Sequence, residues 1–417
     1  MLWHPSANID DPLPNYRVTA LHDHVQPEAM PHVPLWLLGL LTFSGTLAMH
    51  IFVPALPRAG ADLGASPAAM QITVSVYIFG LAVGQLVYGP LADRFGRRPV
   101  LMAGLVIYIL AGAAAGFAPS IDPLIAARLL QALGGCAGLV LARAIVRDTS
   151  APAETARRLA LMNLMVTVGP GVAPIIGGAI AESLGWRWIF LLLCGLGVAN
   201  FLFAWRLLPE TRQKLTHGGG SLARNYWHLI RSPAFLGYAI GGGCATTSMY
   251  AFIAAAPFIF VGEFHRPAYE VGLYLALLIG GVWIGSVIAS RIIGRFPIGR
   301  LMVLANLVGV IAAFVCLAAL LLDRANVPLI VGTMFVFTIG VGVAAPAALT
   351  QAVSVNPLVI GSASGLYGFA QMTIGALCTA LAGIGGNPAL AAALVLAVTG
   401  LIAQAAFWIA GRTQRSD

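Results

Sequence analysis

A short stretch, Gly89-Pro-Leu-Ala-Asp93-Arg94-Phe-Gly96-Arg97-Arg98-Pro99, sets three arginines and an aspartate between two long apolar runs. Charges that dense can act as a switch. Asp93 can pair with a cation or a helix N-terminus across the molecule in one conformation and release it in another. A plain membrane anchor accounts for the arginines but not for Asp93, Gly89 or Gly96. Two more ionisable groups, His50 and Arg128, stand inside apolar runs, where charge is costly and tends to be functional. An imidazole changes charge near neutral pH, and a nearby guanidinium disfavours its protonated form. His50 and Arg128 are therefore the ionisable pair to which a change of protonation inside the apolar interior is assigned.

The acidic residues narrow the chemistry. Asp10, Asp11, Asp23, Glu28, Asp62, Asp93, Asp122, Asp148, Glu154, Glu182, Glu210, Glu263, Glu270, Asp323 and Asp417 all fall outside the middles of the apolar runs. Paired carboxylates, clustered histidines and a Ser/His/Asp set facing one cavity are thus not expected, and no Walker-type phosphate loop occurs. The chain reads as no enzyme, with no cofactor and no metal site. Cys136, Cys194, Cys244, Cys316 and Cys378 are far apart inside apolar runs and read as small packing residues. His4, His22, His24 and His32 belong to a polar, proline-containing opening stretch with no secretory signal pattern.

The elements that must position these groups follow from composition. The 417 residues are 59% apolar and 9% charged, against roughly 25% charged in soluble domains. So few charges cannot cover a soluble surface, such apolar content excludes a disordered chain, and scattered arginines do not make a nucleic-acid patch. A bilayer core needs about 20 apolar residues per helix. Spans are expected at 34–56, 71–92, 99–118, 123–145, 160–181 and 188–208, then at 235–261, 271–290, 300–321, 328–350, 362–383 and 388–410. The expected organisation is a flexible tail (1–33), a six-helix bundle (34–208), a polar central loop (209–233), a second six-helix bundle (234–411) and a short tail (412–417). Sixteen of the 23 basic residues fall on the side of the termini, four on the opposite side and three within spans. That asymmetry puts the termini and central loop in the cytoplasm. The halves echo one another: Gly84, Gly89, Arg94 and Arg97 recur as Gly280, Gly285, Arg291 and Arg295. Parallel six-helix repeats around a midplane site are a transporter plan.

The charged stretch closely resembles the loop signature of the major facilitator superfamily, an all-α membrane fold of 12 helices in two six-helix bundles. Arg128-Leu-Leu-Gln131-Ala-Leu-Gly134-Gly135 resembles that superfamily's buried-arginine motif. Gly169-x-x-x-Ala173-Pro174-x-x-Gly177-Gly178 is similar to the glycine-proline motif of its antiporters, with small residues for close helix packing and Pro174 to bend the helix. The resemblance sharpens to the Bcr/CflA drug-efflux branch through Val53-Pro54-Ala55-Leu56-Pro57, Gln85-Leu-Val-Tyr88-Gly-Pro and Ala142-Arg143-Ala-Ile-Val-Arg147-Asp148. Trp186-Arg187-Trp188-Ile-Phe190 and Leu208-Pro209-Glu210-Thr211 complete it.

That resemblance implies a multi-pass protein of the bacterial inner membrane. It would export small drugs or metabolites, of amphenicol, bicyclomycin or sulfonamide type, by alternating access as a drug/proton antiporter. The branch's usual first-helix aspartate is replaced here by His50, which puts a carboxylate relay in doubt and leaves an uncoupled facilitator or an amino-acid or metabolite exporter as the alternative. A non-transporting receptor or scaffold and a membrane enzyme are further removed. Counting residues places His50 roughly 24 Å up its helix and Arg128 about 25 Å above the same face. The two are level, and in the implied fold both helices face the central cavity. Polar or aromatic residues on cavity-lining helices give the expected substrate contacts: Tyr77, Gln131, Asn163, Tyr250, Tyr274, Tyr367 and Gln371. The conformational set is Gly89, Asp93, Arg94, Gly96, Arg97, Arg98, Gly169, Pro174, Gly177 and Gly178. Expected partners are the small-molecule substrate, protons and the lipid bilayer, with no nucleic acid, and the expected state is a monomer.

Overall fold

The computed structural model describes residues 33–211, 222–293, 295–356 and 359–413. The four tail histidines lie outside the described residues, as does the side chain of Asn163. The described residues are helical almost throughout. The first half comprises α1 (Leu35–His50), α2 (Leu56–Leu63), α3 (Pro67–Phe95), α4 (Arg97–Gly116), α5 (Ile121–Asp148), α6 (Pro152–Ser183) and α7 (Arg187–Leu207). The second comprises α8 (Leu222–Ile230), α9 (Pro233–Thr247), α10 (Met249–Pro257), α11 (Ala268–Ile292), α12 (Ile298–Leu321), α13 (Val327–Ser354), α14 (Ile360–Ala382) and α15 (Pro388–Thr413). Eleven helical stretches among the described residues are long and apolar enough to cross a membrane. The 32-residue α6 occupies the place of the fifth expected span, 160–181, and brings the number to twelve.

Three details differ from the sequence reading. The first expected span is not one helix: α1 stops at His50, a 3-10 turn covers Val53–Ala55, and α2 follows. Pro54 and Pro57 cause the break, because neither has an N–H to extend the ladder and each disfavours helix at the residue before it. The seventh span is likewise divided at Ser248, between α9 and α10, and ends in a π-helical turn, Phe258–Glu263. The central loop carries the short helix α8, which packs on α9 and α14. Its nine residues, with Arg224 and His228 interleaved among aromatics, fall short of any span-length pattern.

Helices α3, α4, α5 and α7 pack with α1 and α6 as one bundle, and α9 and α11–α15 as the other. Between bundles, α3 runs against α14 and α6 against α11. Lipid tails are as apolar as leucine, so such helices associate through close packing of small residues and interhelical hydrogen bonds. Gly272 of α11 shows this: a methyl there would strike the Pro174 carbonyl of α6 at 2.5 Å. Gly178 of α6 abuts Ala268 and Tyr269 at the start of α11, and Gly383, just past α14, abuts Ala68 of α3. These approaches lie at the end of the molecule away from the termini, where the 3-10 turn after α1 also touches α10 and α11.

Candidate functional site

Arg128 sits fully buried on α5 and turned into the first bundle, rather than snorkelling to an interface. Its guanidinium donates to Gln131 Oε1 at 2.7 Å and to the Ala48 carbonyl of α1 at 3.1 Å. It lies over the Tyr77 ring at 4.0 Å, with Phe52 and Phe190 each at 5.8 Å. Aromatic faces attract a desolvated cation, and here they stand where a carboxylate counter-ion would otherwise be needed. Tyr77, also fully buried, donates to the Gly45 carbonyl at 2.8 Å. The charge is thus tied to α1 at two successive turns.

His50, the last residue of α1, is 3% exposed. Its Nδ1–H donates to the Thr46 carbonyl, one turn back, at 2.9 Å. A carbonyl can only accept, so the neutral ring keeps its lone pair on Nε2. The Ala48 carbonyl that holds Arg128 precedes His50 by two residues, so the two groups share one height. Across the bundle interface the His50 ring meets Tyr250 of α10, ring centroids 6.1 Å apart.

The second half supplies a wall without charge. Gln371 of α14 donates through Nε2 to Thr246 Oγ1 at 2.7 Å, and its carbonyl accepts from Thr247 Oγ1 at 2.7 Å. Gly375, one turn further on, packs against both Thr247 and Tyr250, so these groups form one patch beside His50. Tyr367 is buried against Gly242 of α9, and its hydroxyl finds no partner among the described residues. Tyr274 stands apart toward the far end, donating to Glu270 Oε2 at 2.7 Å and with its ring tilted against Phe260, centroids 4.9 Å apart. The structure therefore gathers His50, Arg128, Tyr77, Gln131, Tyr250 and Gln371 at mid-depth and leaves Tyr274 outside that group.

At the end bearing the termini, Arg97 donates to Asp93 at 2.7 Å and to Asp148 at 3.0 Å, clamping α3, α4 and α5 together. In this state Asp93 is paired within its own bundle, not across the halves. The N-terminus of α4 has no capping side chain of its own, unlike α3, where Ser66 accepts from the Ala69 N–H. Glu210 caps it from beyond α7: its carboxylate accepts from the backbone N–H of Arg97 at 2.9 Å and of Arg98 at 3.2 Å. Gly96 adopts φ +101°, and a Cβ there would stand 2.6 Å from the Glu210 carboxylate. Both the turn and the cap require glycine. Arg98 donates to the Trp205 carbonyl at 2.7 Å, and Arg94 lies over the Phe95 ring at 5.1 Å. Gly89 faces open space, whereas Gly84 packs on Cys136; packing gives a reason for the second glycine only.

The glycine-proline string lies between the bundles. Gly169 faces Phe43 and Thr46 of α1, Gly177 seats the Ile51 carbonyl, and Gly178 faces α11. Helix α6 continues unbroken through Pro170 and Pro174. Asp148, Glu210, Thr246, Thr247 and the aromatic cage of Phe52 and Phe190 were not singled out from sequence. Asp148 and Glu210 did stand within strings that carry the resemblance, which was the available signal.

A model of the Major Facilitator Superfamily matches residues 38–380. A transporter of Bacillus subtilis described as uncharacterized and MFS-type, YdgK, is 30% identical over 384 residues, covering 89% of this chain and 94% of that protein. A bicyclomycin resistance protein homolog of Haemophilus influenzae is 26% identical over 347 residues, 82% of this chain and 87% of that protein. Among solved structures, a bacterial homolog of the human lysosomal transporter Spinster, inward-facing and occupied, superposes with TM-score 0.72 at 18% identity, over 91% of this chain and 96% of that one.

Proposed function

The chain belongs to the Major Facilitator Superfamily, and on that premise we propose that it is a drug/proton antiporter of Bcr/CflA type. It is a multi-pass protein of the bacterial inner membrane. In this reading it moves small neutral or weakly polar drugs or metabolites outward, with both termini and the central loop in the cytoplasm, and works as a monomer because its pathway is enclosed by one chain.

One observation carries the reading: the His50–Tyr250 contact joins the two bundles at the height of a fixed cation. Substrate enters from the cytoplasmic end between an aromatic and amide wall (Tyr77, Gln131, Tyr250, Gln371), which suits apolar guests with a few polar groups. Asn163 stays a substrate candidate on sequence grounds alone, and Tyr367 and Tyr274 flank the wall. Arg128, anchored on the Ala48 carbonyl, holds a fixed positive charge at the height of His50. Separation of the bundles opens the far end, parts His50 from Tyr250 and admits a proton to Nε2; return to the inward state releases it. The glycine approaches at Gly178, Gly272 and Gly383 form the outer gate, and the Asp93–Arg97–Asp148 clamp with the Glu210 cap belongs to the cytoplasmic one. Gly89, Arg94 and Arg98 complete that switch, with Gly169, Pro174 and Gly177 as its bearing on α1.

The observed lack of any mid-depth carboxylate among the described residues favours a second reading, an uncoupled facilitator or metabolite exporter. Efflux from everted vesicles, with and without an imposed pH gradient, across amphenicols, sulfonamides, bicyclomycin and cysteine, separates the two. Antiport predicts uphill efflux that collapses with the gradient and is lost in His50→Gln. Uphill efflux at the wild-type rate in His50→Gln would falsify the histidine relay.

A further inference from the structure

Outside the central site, the end of the second bundle that bears the termini holds a cavity of about 960 Å³. Four helices line it: α9 through Tyr238, α12 through Arg300, α13 through Gln351, and α15 through Phe407, Trp408 and Arg412. Its volume is at the top of the ordinary range for small-molecule sites, roughly 300–1,000 Å³. The chemistry is divided. Arg300 and Arg412 stand at the rim, both exposed, and neither forms an ion pair with a described carboxylate. Met302, Val303 and Leu304 on α12 and Phe407 on α15 give the walls.

Trp408, 57% exposed, carries the Arg412 guanidinium 3.6 Å above its ring. That pairing holds the cation in place over an indole, the side chain that favours the headgroup level of a bilayer. The first turn of α12, which lines the same cavity, has no capping side chain. Two cations, one of them held over an indole, above an apolar wall at the membrane surface select a ligand that is anionic at one end and hydrocarbon at the other.

We infer that this cavity binds the headgroup of an anionic phospholipid, with its phosphate between Arg300 and Arg412 and an acyl chain along α12. The inference uses the membrane-spanning fold and is independent of drug export, so either can fail without the other. An inorganic phosphate offers the same charge without the chain, and the test separates them. The whole protein in detergent is titrated with phosphatidylglycerol, phosphatidylcholine or inorganic phosphate, and bound lipid is counted by native mass spectrometry. Phosphatidylglycerol should be retained selectively. The double variant Arg300→Gln/Arg412→Gln should weaken it about twenty- to thirty-fold, each cation near the surface contributing a several-fold factor. Arg300→Lys/Arg412→Lys should retain most of the binding, and Arg324→Gln at the opposite end should retain all of it. Equal retention of phosphatidylcholine, wild-type retention by the double glutamine variant, or displacement of the lipid by millimolar phosphate overturns the proposal.

Discussion

The turn between α3 and α4 and the turn between α11 and α12 share a five-residue spacing of glycines and a following pair of arginines, but not what the arginines touch. In the first, Arg97 is held by Asp93 and Asp148 while Glu210 caps the helix it begins. In the second, Arg291 and Arg295 are exposed, the chain makes a short bridge from Ile293 to Phe296, and no described carboxylate pairs with either arginine. The described acidic residues of that half, Glu263, Glu270 and Asp323, all lie toward the opposite end. Even the glycines exchange roles. Gly84 packs and its successor Gly89 faces space, whereas Gly280 faces space and Gly285 packs on Ile339 and Gly342. A repeat can therefore preserve close helix packing and positive charge while the paired charges stay with one copy.

The sharpest way to break this asymmetry is at mid-depth, where the second half offers Thr246 and Gln371 but no charge. Arg128→Leu removes two hydrogen bonds from a charged donor, each worth about 1.5–3 kcal/mol. Everted-vesicle efflux should fall below a tenth of wild type, whereas Thr246→Val should keep at least a third. Next in size is Arg97→Gln, which leaves Asp93 and Asp148 facing one another without their shared cation; efflux should drop by about tenfold, and charge reversal in the other turn should not mimic it. Glu210→Gln keeps the shape but weakens the cap of α4. Loss of capping costs about 1 kcal/mol, to be read as a lowered unfolding temperature in detergent with efflux reduced only a few-fold. The smallest effect is expected for Arg291→Gln/Arg295→Gln. With no pairing to lose, stability should stay within ~0.5 kcal/mol of wild type, and a larger loss would show that the second turn is a latch too.

Much of the architecture was legible because bilayer spans are written in local composition. Twenty-residue apolar runs gave the helices, and a rise of 1.5 Å per residue was enough to set His50 level with Arg128. Arg97 and Asp93 stand four residues apart, but Gly96 ends α3 between them, so the pair is made across a turn rather than along one helix. Glu210 was not legible: it caps a helix more than a hundred residues earlier in the chain, and no periodicity reports a partner at that distance. The cage around Arg128 was hidden for a related reason. Phe52 and Phe190 come from separate segments and each alone reads as ordinary packing, while Tyr77 stood out only as a substrate contact. The break at Ser248 escaped notice because residues on both sides are equally apolar, so hydropathy runs smoothly across it.

Glu210 has one more consequence, and it is mechanical. It lies three residues past the end of α7, at the head of the only covalent tether between the halves, and it is fastened to the base of α4. A tug from the second bundle is therefore absorbed at a helix cap before it can unwind α7. The tether is clamped at its socket, so the end of the sixth crossing is braced against the base of the third.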